Sequence, residues 1–158
     1  MIRKQIINTA SQGASLAGQE WLNLEHLARV EITSEDAGYP VESALLFERG
    51  PGWRAAQPGE QTIRIVFDQP QRLRRIRLVF REAEMERAQE FVLRWSPEGA
   101  HAFREIVRQQ WNFSPGGATL EVEDYRVDLQ DVKSLELLIN PDRSGGQARA
   151  SLEQFHLA

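Results

Sequence analysis

The chain has 158 residues, a length typical of one domain with a sizeable apolar core. Its 23 acidic and 19 basic residues give a formal net charge of −4, so the overall charge does not favour binding to nucleic acid or anionic lipid. The absence of cysteine excludes disulfides and thiolate metal centres, and no apolar run approaches the roughly 20 residues of a membrane span. We therefore expect a soluble, cytoplasmic protein.

The first predicted elements are short. Residues 20–27 are predicted to form one or two helical turns, and we treat residues 1–27 as an N-terminal extension of a single domain that spans residues 1–158. Apolar and polar side chains alternate over residues 28–33, which predicts a half-buried strand. A second short helix is predicted over residues 41–47.

The same two-residue period recurs in four later segments. They are residues 63–68, 75–80, 89–96 and 135–140. Turn-forming sequences separate the predicted strands, at residues 68–70, 97–101, 114–117 and 140–142. The charged residues 81–88 are predicted as a loop or a single helical turn. Many short strands joined by such turns predict an all-β protein, an antiparallel sandwich or barrel.

The order of these segments resembles the discoidin, or coagulation-factor type C, family of the galactose-binding-like superfamily. The matching segments are residues 30–46, 52–80, 89–106 and 150–158. Trp53 precedes a strand that ends at Asp68 and Pro70, and the hairpin around Trp95 and Gly99 is similar to a hairpin of that family. The resemblance implies a jelly-roll antiparallel β-sandwich of about eight strands with one or two short helices.

Aromatic residues near predicted loops are the best functional lead. Flat rings stack on the C–H faces of sugars, while neighbouring polar groups bind the hydroxyls. We predict that Tyr39 and Trp111 stack on a ligand and that Arg54 and Asn112 bind its hydroxyls. The alternative is a packing role, which we expect for Trp53. Since the resemblance implies a carbohydrate ligand, the leading hypothesis is a noncatalytic module that binds carbohydrate through loops at one end of the sandwich.

The resemblance also implies a structural calcium ion, near the end of the first strand and near the last strand. Glu35, Asp36 and Glu153 are the candidate ligands, because calcium prefers carboxylate and carbonyl oxygens. The alternative is a solvated acidic loop. No other cofactor is predicted, since the three histidines lack the spacing of a metal site.

A second hypothesis is a protein-interaction or scaffold domain. Its surface would be a strand face rich in arginine, formed by Arg64, Arg75, Arg77 and Arg94. The alternative is that these arginines pair across strands with acidic residues, namely Glu31, Glu121, Glu123 or Glu136. Whether the chain forms oligomers stays open.

Catalytic residues are not predicted. No nucleophile, base and orienting group can be named together, and the sequence has no glycine-rich phosphate loop. Glu121 and Glu123 share one face of a strand, and we interpret them as an exposed acidic stripe rather than as a catalytic carboxylate pair.

Overall fold

A computed structural model describes residues 21–47 and 50–158 and confirms the all-β prediction. Within those ranges the chain forms eight strands and two single-turn helices. In order they are α1 (Leu24–Leu27), β1 (Ala28–Ile32), α2 (Glu42–Leu45), β2 (Trp53–Arg54), β3 (Gln61–Arg81), β4 (Arg87–Ser96), β5 (Arg104–Phe113), β6 (Leu120–Asn140), β7 (Ser151–Leu152) and β8 (Gln154–Leu157). Most of the predicted N-terminal extension, residues 1–20, lies outside the described residues.

The two longest strands, β3 and β6, pair antiparallel along their whole length and organise the fold. Register shifts between Val66 and Arg75 interrupt this ribbon and mark where it bends. Before the bend of β3 the strand order is β1-β3-β6-β4-β5, and beyond it β8 pairs with β3. The ribbon thus contributes to both layers of a β-sandwich, while β2 and β7 form a separate pair.

Residues 68–70 are not the strand-separating turn that the sequence predicts. They lie within β3, between the paired residues Val66 and Gln71, where the ladder is irregular. Pro70 has no N–H to donate to a ladder, so a strand accepts it where pairing is interrupted. The two strands predicted on either side are therefore one bent strand.

The inward side chains of both layers form one apolar core. Alternate residues of β3 are fully buried before the bend and after it, as are facing residues of β4 and β8. The stacked rings of Phe80 and Phe91, 5.2 Å apart, join β3 to β4. Trp53 is fully buried and donates its Nε1–H to the Ser34 carbonyl at 3.0 Å, which confirms a packing role for this residue. Each buried aromatic side chain contributes about 2 kcal/mol through the hydrophobic effect.

The two helices tie the first part of the chain to the sandwich. In α1 the side chain of Asn23 accepts a hydrogen bond from the Glu25 N–H, and Leu24 enters the core. The segment before α1 is held by the Leu22 N–H, which donates to the Leu157 carbonyl of β8 at 2.7 Å. The second helix, α2, packs against β8 close to its predicted position. Neither helix has the length or the apolar surface needed to cross a membrane.

Candidate functional site

A groove with a volume of about 560 Å³ lies on the outer face of β3 and β8. Phe155 and Leu157 of β8 are buried, so the alternating residues between and beside them point outward into this groove. We call it the aromatic groove and define it by six lining residues, Trp21, Phe47, Arg77, Glu153, Gln154 and His156.

Three rings form the apolar part of the aromatic groove. The ring of His156 lies 4.6 Å from that of Phe47 and 5.8 Å from that of Trp21. Phe47 is 54% exposed, an unusual state for a large apolar side chain inside a concave surface. The guanidinium of Arg75 lies 4.7 Å from the centre of the Trp21 ring and fixes its position. The arrangement presents flat apolar surfaces to solvent.

His156 lines the aromatic groove and has one ring nitrogen without a hydrogen-bond partner. This nitrogen, Nε2, is buried. Burial lowers the pKa of His156, a hydrogen bond with the Leu46 backbone opposes that effect, and the charge of Arg77 lowers the pKa further. The imidazole is therefore neutral at neutral pH. Because Nε2 is unpaired, we assign the Leu46 bond to Nδ1–H, which leaves Nε2 as an acceptor.

The charged residues of the aromatic groove are held by ion pairs. Glu153 accepts a hydrogen bond from Arg81 Nε at 2.9 Å. Arg77 lies opposite His156 in the ladder and makes only a long contact, 3.5 Å, with Asp124. Asp124 is bound more closely by Arg75, at 2.6 Å, so Arg77 can donate to a ligand without leaving a carboxylate unpaired.

Two of the four predicted ligand-binding residues lie side by side. The guanidinium of Arg54 stacks over the Tyr39 ring at 4.5 Å, and the Arg54 N–H donates to the Tyr39 carbonyl at 3.2 Å. Asp36 joins them through its backbone N–H, which donates to the Arg54 carbonyl, and its carboxylate lies 3.6 Å from Arg149. We call Asp36, Tyr39, Arg54 and Arg149 the rim cluster.

The other two predicted residues, Trp111 and Asn112, lie near the end of β5, just before the loop that starts at Ser114. Trp111 is half-buried, packs against the core and pairs in register with Gln89. Asn112 is exposed, and it points to the opposite face because side chains alternate along a strand. The strand continues to Phe113, whose buried ring holds the end of the strand in the sandwich.

The three candidate calcium ligands each have a protein partner. The Glu35 carboxylate accepts from the Val41 N–H at 2.9 Å, Asp36 accepts from the Gly38 N–H at 3.0 Å, and Glu153 pairs with Arg81. Across residues 21–47 and 50–158, no three acidic or histidine side chains form a group that could hold a metal ion. The arrangement of these three carboxylates therefore does not support the calcium hypothesis.

The arginines of the second hypothesis form two separate ion-paired networks. Glu136 binds both Arg64 and Arg94, and Glu31 binds Arg64 from the other side at 2.8 Å. Arg75 and Arg77 share Asp124 instead. Cross-strand pairing is thus confirmed for Glu31 and Glu136, and the arginines do not form one continuous cationic face.

The exposed acidic stripe predicted at Glu121 and Glu123 is wrong. Glu121 is fully buried and accepts a hydrogen bond from Gln89 Nε2 at 3.1 Å. In the first part of β6 the usual burial pattern is reversed. The apolar side chains of Leu120 and Val122 are exposed, whereas Glu121 and Glu123 point inward. The alternation of side chains along the chain correctly predicted a strand here. The polarity of the residues, however, predicted the wrong face of that strand as the buried one.

The sequence does not predict the aromatic groove: Arg77 and Glu153 are candidates for other roles, and its three aromatic rings are not candidates for a binding site. Trp21 belongs to the predicted extension, and Phe47 ends the predicted second helix. They meet His156 only because β8 returns beside β3 and the Leu22 and α2 contacts bring both aromatics to it. The local indication of the groove in the sequence is His156, a histidine at an outward-facing position of the last strand.

No protein-family model matches the chain, and a search of curated proteins finds no significant relative. Solved structures do match. A family 32 carbohydrate-binding module from C. perfringens NanJ, in complex with galactose, has a TM-score of 0.59 at 12% identity over 87% of this chain and 96% of that one.

Two further structures share the fold. Module CBM32-3 from a family 31 glycoside hydrolase of Clostridium perfringens has a TM-score of 0.63 at 15% identity, over 90% of this chain and 96% of that one. Chitosan-binding module 1 from a chitosanase/glucanase of Paenibacillus sp. IK-5 has a TM-score of 0.61 at 16% identity, over 87% and 98%. The likeness establishes a common β-sandwich fold.

Proposed function

We propose that this chain is a noncatalytic carbohydrate-binding module, related to discoidin-type domains, whose sugar site is the aromatic groove. The observation that carries the proposal is the meeting of the Trp21, Phe47 and His156 rings around one groove. The fold of the solved carbohydrate-binding modules supports the ligand class. The volume of the groove lies within the range of about 300–1,000 Å³ that small-molecule sites occupy.

The groove supplies both kinds of contact that a sugar needs. The exposed face of Phe47 can stack on the C–H face of a pyranose ring. His156 Nε2 accepts a hydrogen bond from a hydroxyl, and Arg77 and Gln154 donate to ring or hydroxyl oxygens. A buried acceptor without a partner favours a ligand that brings a donor, because leaving such a group unpaired costs free energy.

Binding without hydrolysis fits the charges of the groove. Glycoside hydrolysis requires two carboxyl groups on either side of the scissile bond. Glu153 is the single carboxylate among the described lining residues, and it is paired with Arg81. The groove residues therefore suit recognition rather than acid–base catalysis.

The rim cluster is the second candidate for the same function. Tyr39 and Arg54 are close enough to bind one ligand, as the sequence predicted. One face of the Tyr39 ring is already covered by the guanidinium, however, and Asp36 is occupied by Arg149 and by the Gly38 N–H. The aromatic groove has the larger unused surface, so we favour it.

A glycan array probed with the purified full chain tests the function. Isothermal titration of a bound glycan then tests the site with Phe47→Ala and a matched control, Tyr39→Ala in the rim cluster. We expect Phe47→Ala to weaken binding about fivefold or more, since one aromatic contact is worth about 1 kcal/mol or more, and to leave thermal stability nearly unchanged because the ring is exposed.

Two outcomes would contradict parts of the proposal. If Tyr39→Ala abolishes binding and Phe47→Ala does not, the function stands and the site is the rim cluster. If no glycan on a broad array binds, the carbohydrate function fails.

A further inference from the structure

A second polar cluster lies inside the sandwich, away from the aromatic groove. Glu121 of β6 points between the layers, where Gln89 of β4 donates to it at 3.1 Å. The Oε1 of Gln89 accepts in turn from Arg87 Nη1 at 2.9 Å. Glu123 and Tyr125 follow on the same inward face of β6. We call Arg87, Gln89, Glu121, Glu123 and Tyr125 the interior cluster.

Several atoms in and beside the interior cluster are buried without a hydrogen-bond partner. Among the described residues they include Arg87 Nη2, Glu121 Oε2 and the Tyr125 hydroxyl, together with Nε1 of Trp111, which pairs in register with Gln89. Buried polar atoms almost always have a partner in native proteins. These atoms concentrate unpaired donors and acceptors between the two sheets.

The surroundings of Glu121 disfavour its ionised form. Across β3 it faces Phe80, and Glu123 faces Leu78, both buried and apolar. The one cation that faces it, Arg87, donates to Glu82 at 2.8 Å and to the Pro141 carbonyl, and Phe113 lies 4.7 Å beneath its guanidinium. The charge of Arg87 is thus already matched by Glu82, and two carboxylates share the remaining space.

We propose that the buried carboxyl of Glu121 is protonated at neutral pH and donates a hydrogen bond to the neighbouring Glu123 side chain, and that this bond closes the sandwich at the edge formed by β5 and the first part of β6. A protonated carboxyl is a donor as well as an acceptor, so it can bond to the neighbouring carboxylate. Loss of the proton would place two negative charges between the sheets, next to the half-buried Trp111 and Tyr125. The β5 edge would then open, because water must enter to solvate them.

The titration expected of this pair supports the proposal. Burial raises the pKa of Glu121 to about 9, with further increases from the hydrogen bond and the charge of Glu123, while Gln89 and Arg87 oppose the shift. An unfolded glutamate has a pKa near 4.3. Between these values the folded form of Glu121 holds a proton that the unfolded form has lost, so the contribution of this group to stability is greatest at low pH and falls as pH rises towards 9.

Chemical denaturation of the full chain at pH 6, 7 and 8 tests the proposal. The wild-type ratio of folded to unfolded protein should fall about tenfold per pH unit relative to Glu121→Gln, which keeps the shape and removes the titration. Glu105→Gln, an exposed position on β5, is the matched control and should follow the wild-type profile. Carboxyl-carbon NMR of the wild type should show one acid-form glutamate at pH 7 that disappears in Glu121→Gln.

The NMR measurement keeps the proposal falsifiable even if Glu121→Gln does not fold, because it uses the wild-type chain. Carbon shifts showing that both Glu121 and Glu123 are ionised by pH 6 would overturn the proposal. So would a Glu121→Gln variant whose stability falls with pH as steeply as that of the wild type.

Discussion

Glu136 offers the sharpest test of the energetics of this fold. It is 1% exposed, at the centre of the sheet in β6, and each of its carboxylate oxygens binds one arginine. Arg64 donates to Oε2 at 2.6 Å, and Arg94 donates to Oε1 at 2.5 Å. Glu136→Gln keeps the shape of the side chain but removes its charge and turns one acceptor into a donor that faces an arginine.

The expected loss of stability depends on how deeply the ion pairs of Glu136 are buried and on which partners Arg64 and Arg94 keep. Removing one partner of a fully buried ion pair costs about 3–5 kcal/mol. Here the side chains of Arg64 and Arg94 are 27% and 38% exposed, and Arg64 keeps Glu31 at 2.8 Å, so water and Glu31 recover part of the loss. We expect Glu136→Gln to lower the free energy of unfolding by about 2–3 kcal/mol, which corresponds to a decrease in Tm of about 5–10 °C.

Urea unfolding followed by tryptophan fluorescence measures this change, with calorimetry as a check on Tm. The matched control is Glu31→Gln, which removes an acidic partner of Arg64 at a position where the side chain is 43% exposed. We expect that control to cost less than about 1 kcal/mol. Equal losses in the two variants, or a loss below about 0.5 kcal/mol in Glu136→Gln, would refute the reasoning from burial.

Two further predictions concern backbone strain and pH. Gly52 has a φ of +86°, and a Cβ there would lie 2.6 Å from the Leu152 carbonyl oxygen, so Gly52→Ala should cost more than about 2 kcal/mol in urea unfolding. Gly59→Ala is the control: its φ is +95°, but a Cβ there would have no atom within 4 Å, so the substitution should cost only about 1 kcal/mol. Equal losses of stability in the two variants would show that the clash with the Leu152 carbonyl contributes nothing. Because the pKa of His156 is lowered by burial, the stability of the wild type relative to His156→Gln should decrease in thermal melts as pH falls through about 6.5. Sugar affinity measured by titration calorimetry should fall as His156 becomes protonated, because protonated Nε2 cannot accept a hydrogen bond from a hydroxyl; an affinity that stays constant while NMR shows His156 gaining its proton would contradict that role.

Alternation of apolar and polar residues predicted the sandwich because each half-buried strand has one face against the core. It located β1, β4 and both halves of β3, and the turn sequences located the β4–β5 hairpin. It did not predict that β3 is continuous, because Pro70 breaks the local pattern while pairing with β6 on either side maintains the strand. Long-range register is not encoded in a local window.

The functional residues were predicted less completely, for physical reasons. Tyr39 and Arg54 are in contact, and their role in binding a ligand stays a prediction. Trp111 was selected for its ring, but a ring in an edge strand serves packing as readily as binding. The aromatic groove joins residues from opposite ends of the chain, so only the tertiary structure brings its rings together.

The pairing of β3 with β6 has a consequence for biosynthesis. Gln61 pairs with Ile139, and Arg81 pairs with Leu120, so all of β4 and β5 lie between the two partners in the sequence. A ribosome delivers β3 long before β6, whereas the β4–β5 hairpin needs only local chain closure. During synthesis, the edge of β3 that pairs with β6 therefore stays unpaired until β6 is made. The chain reaches its native topology only after residue 140 has left the ribosome.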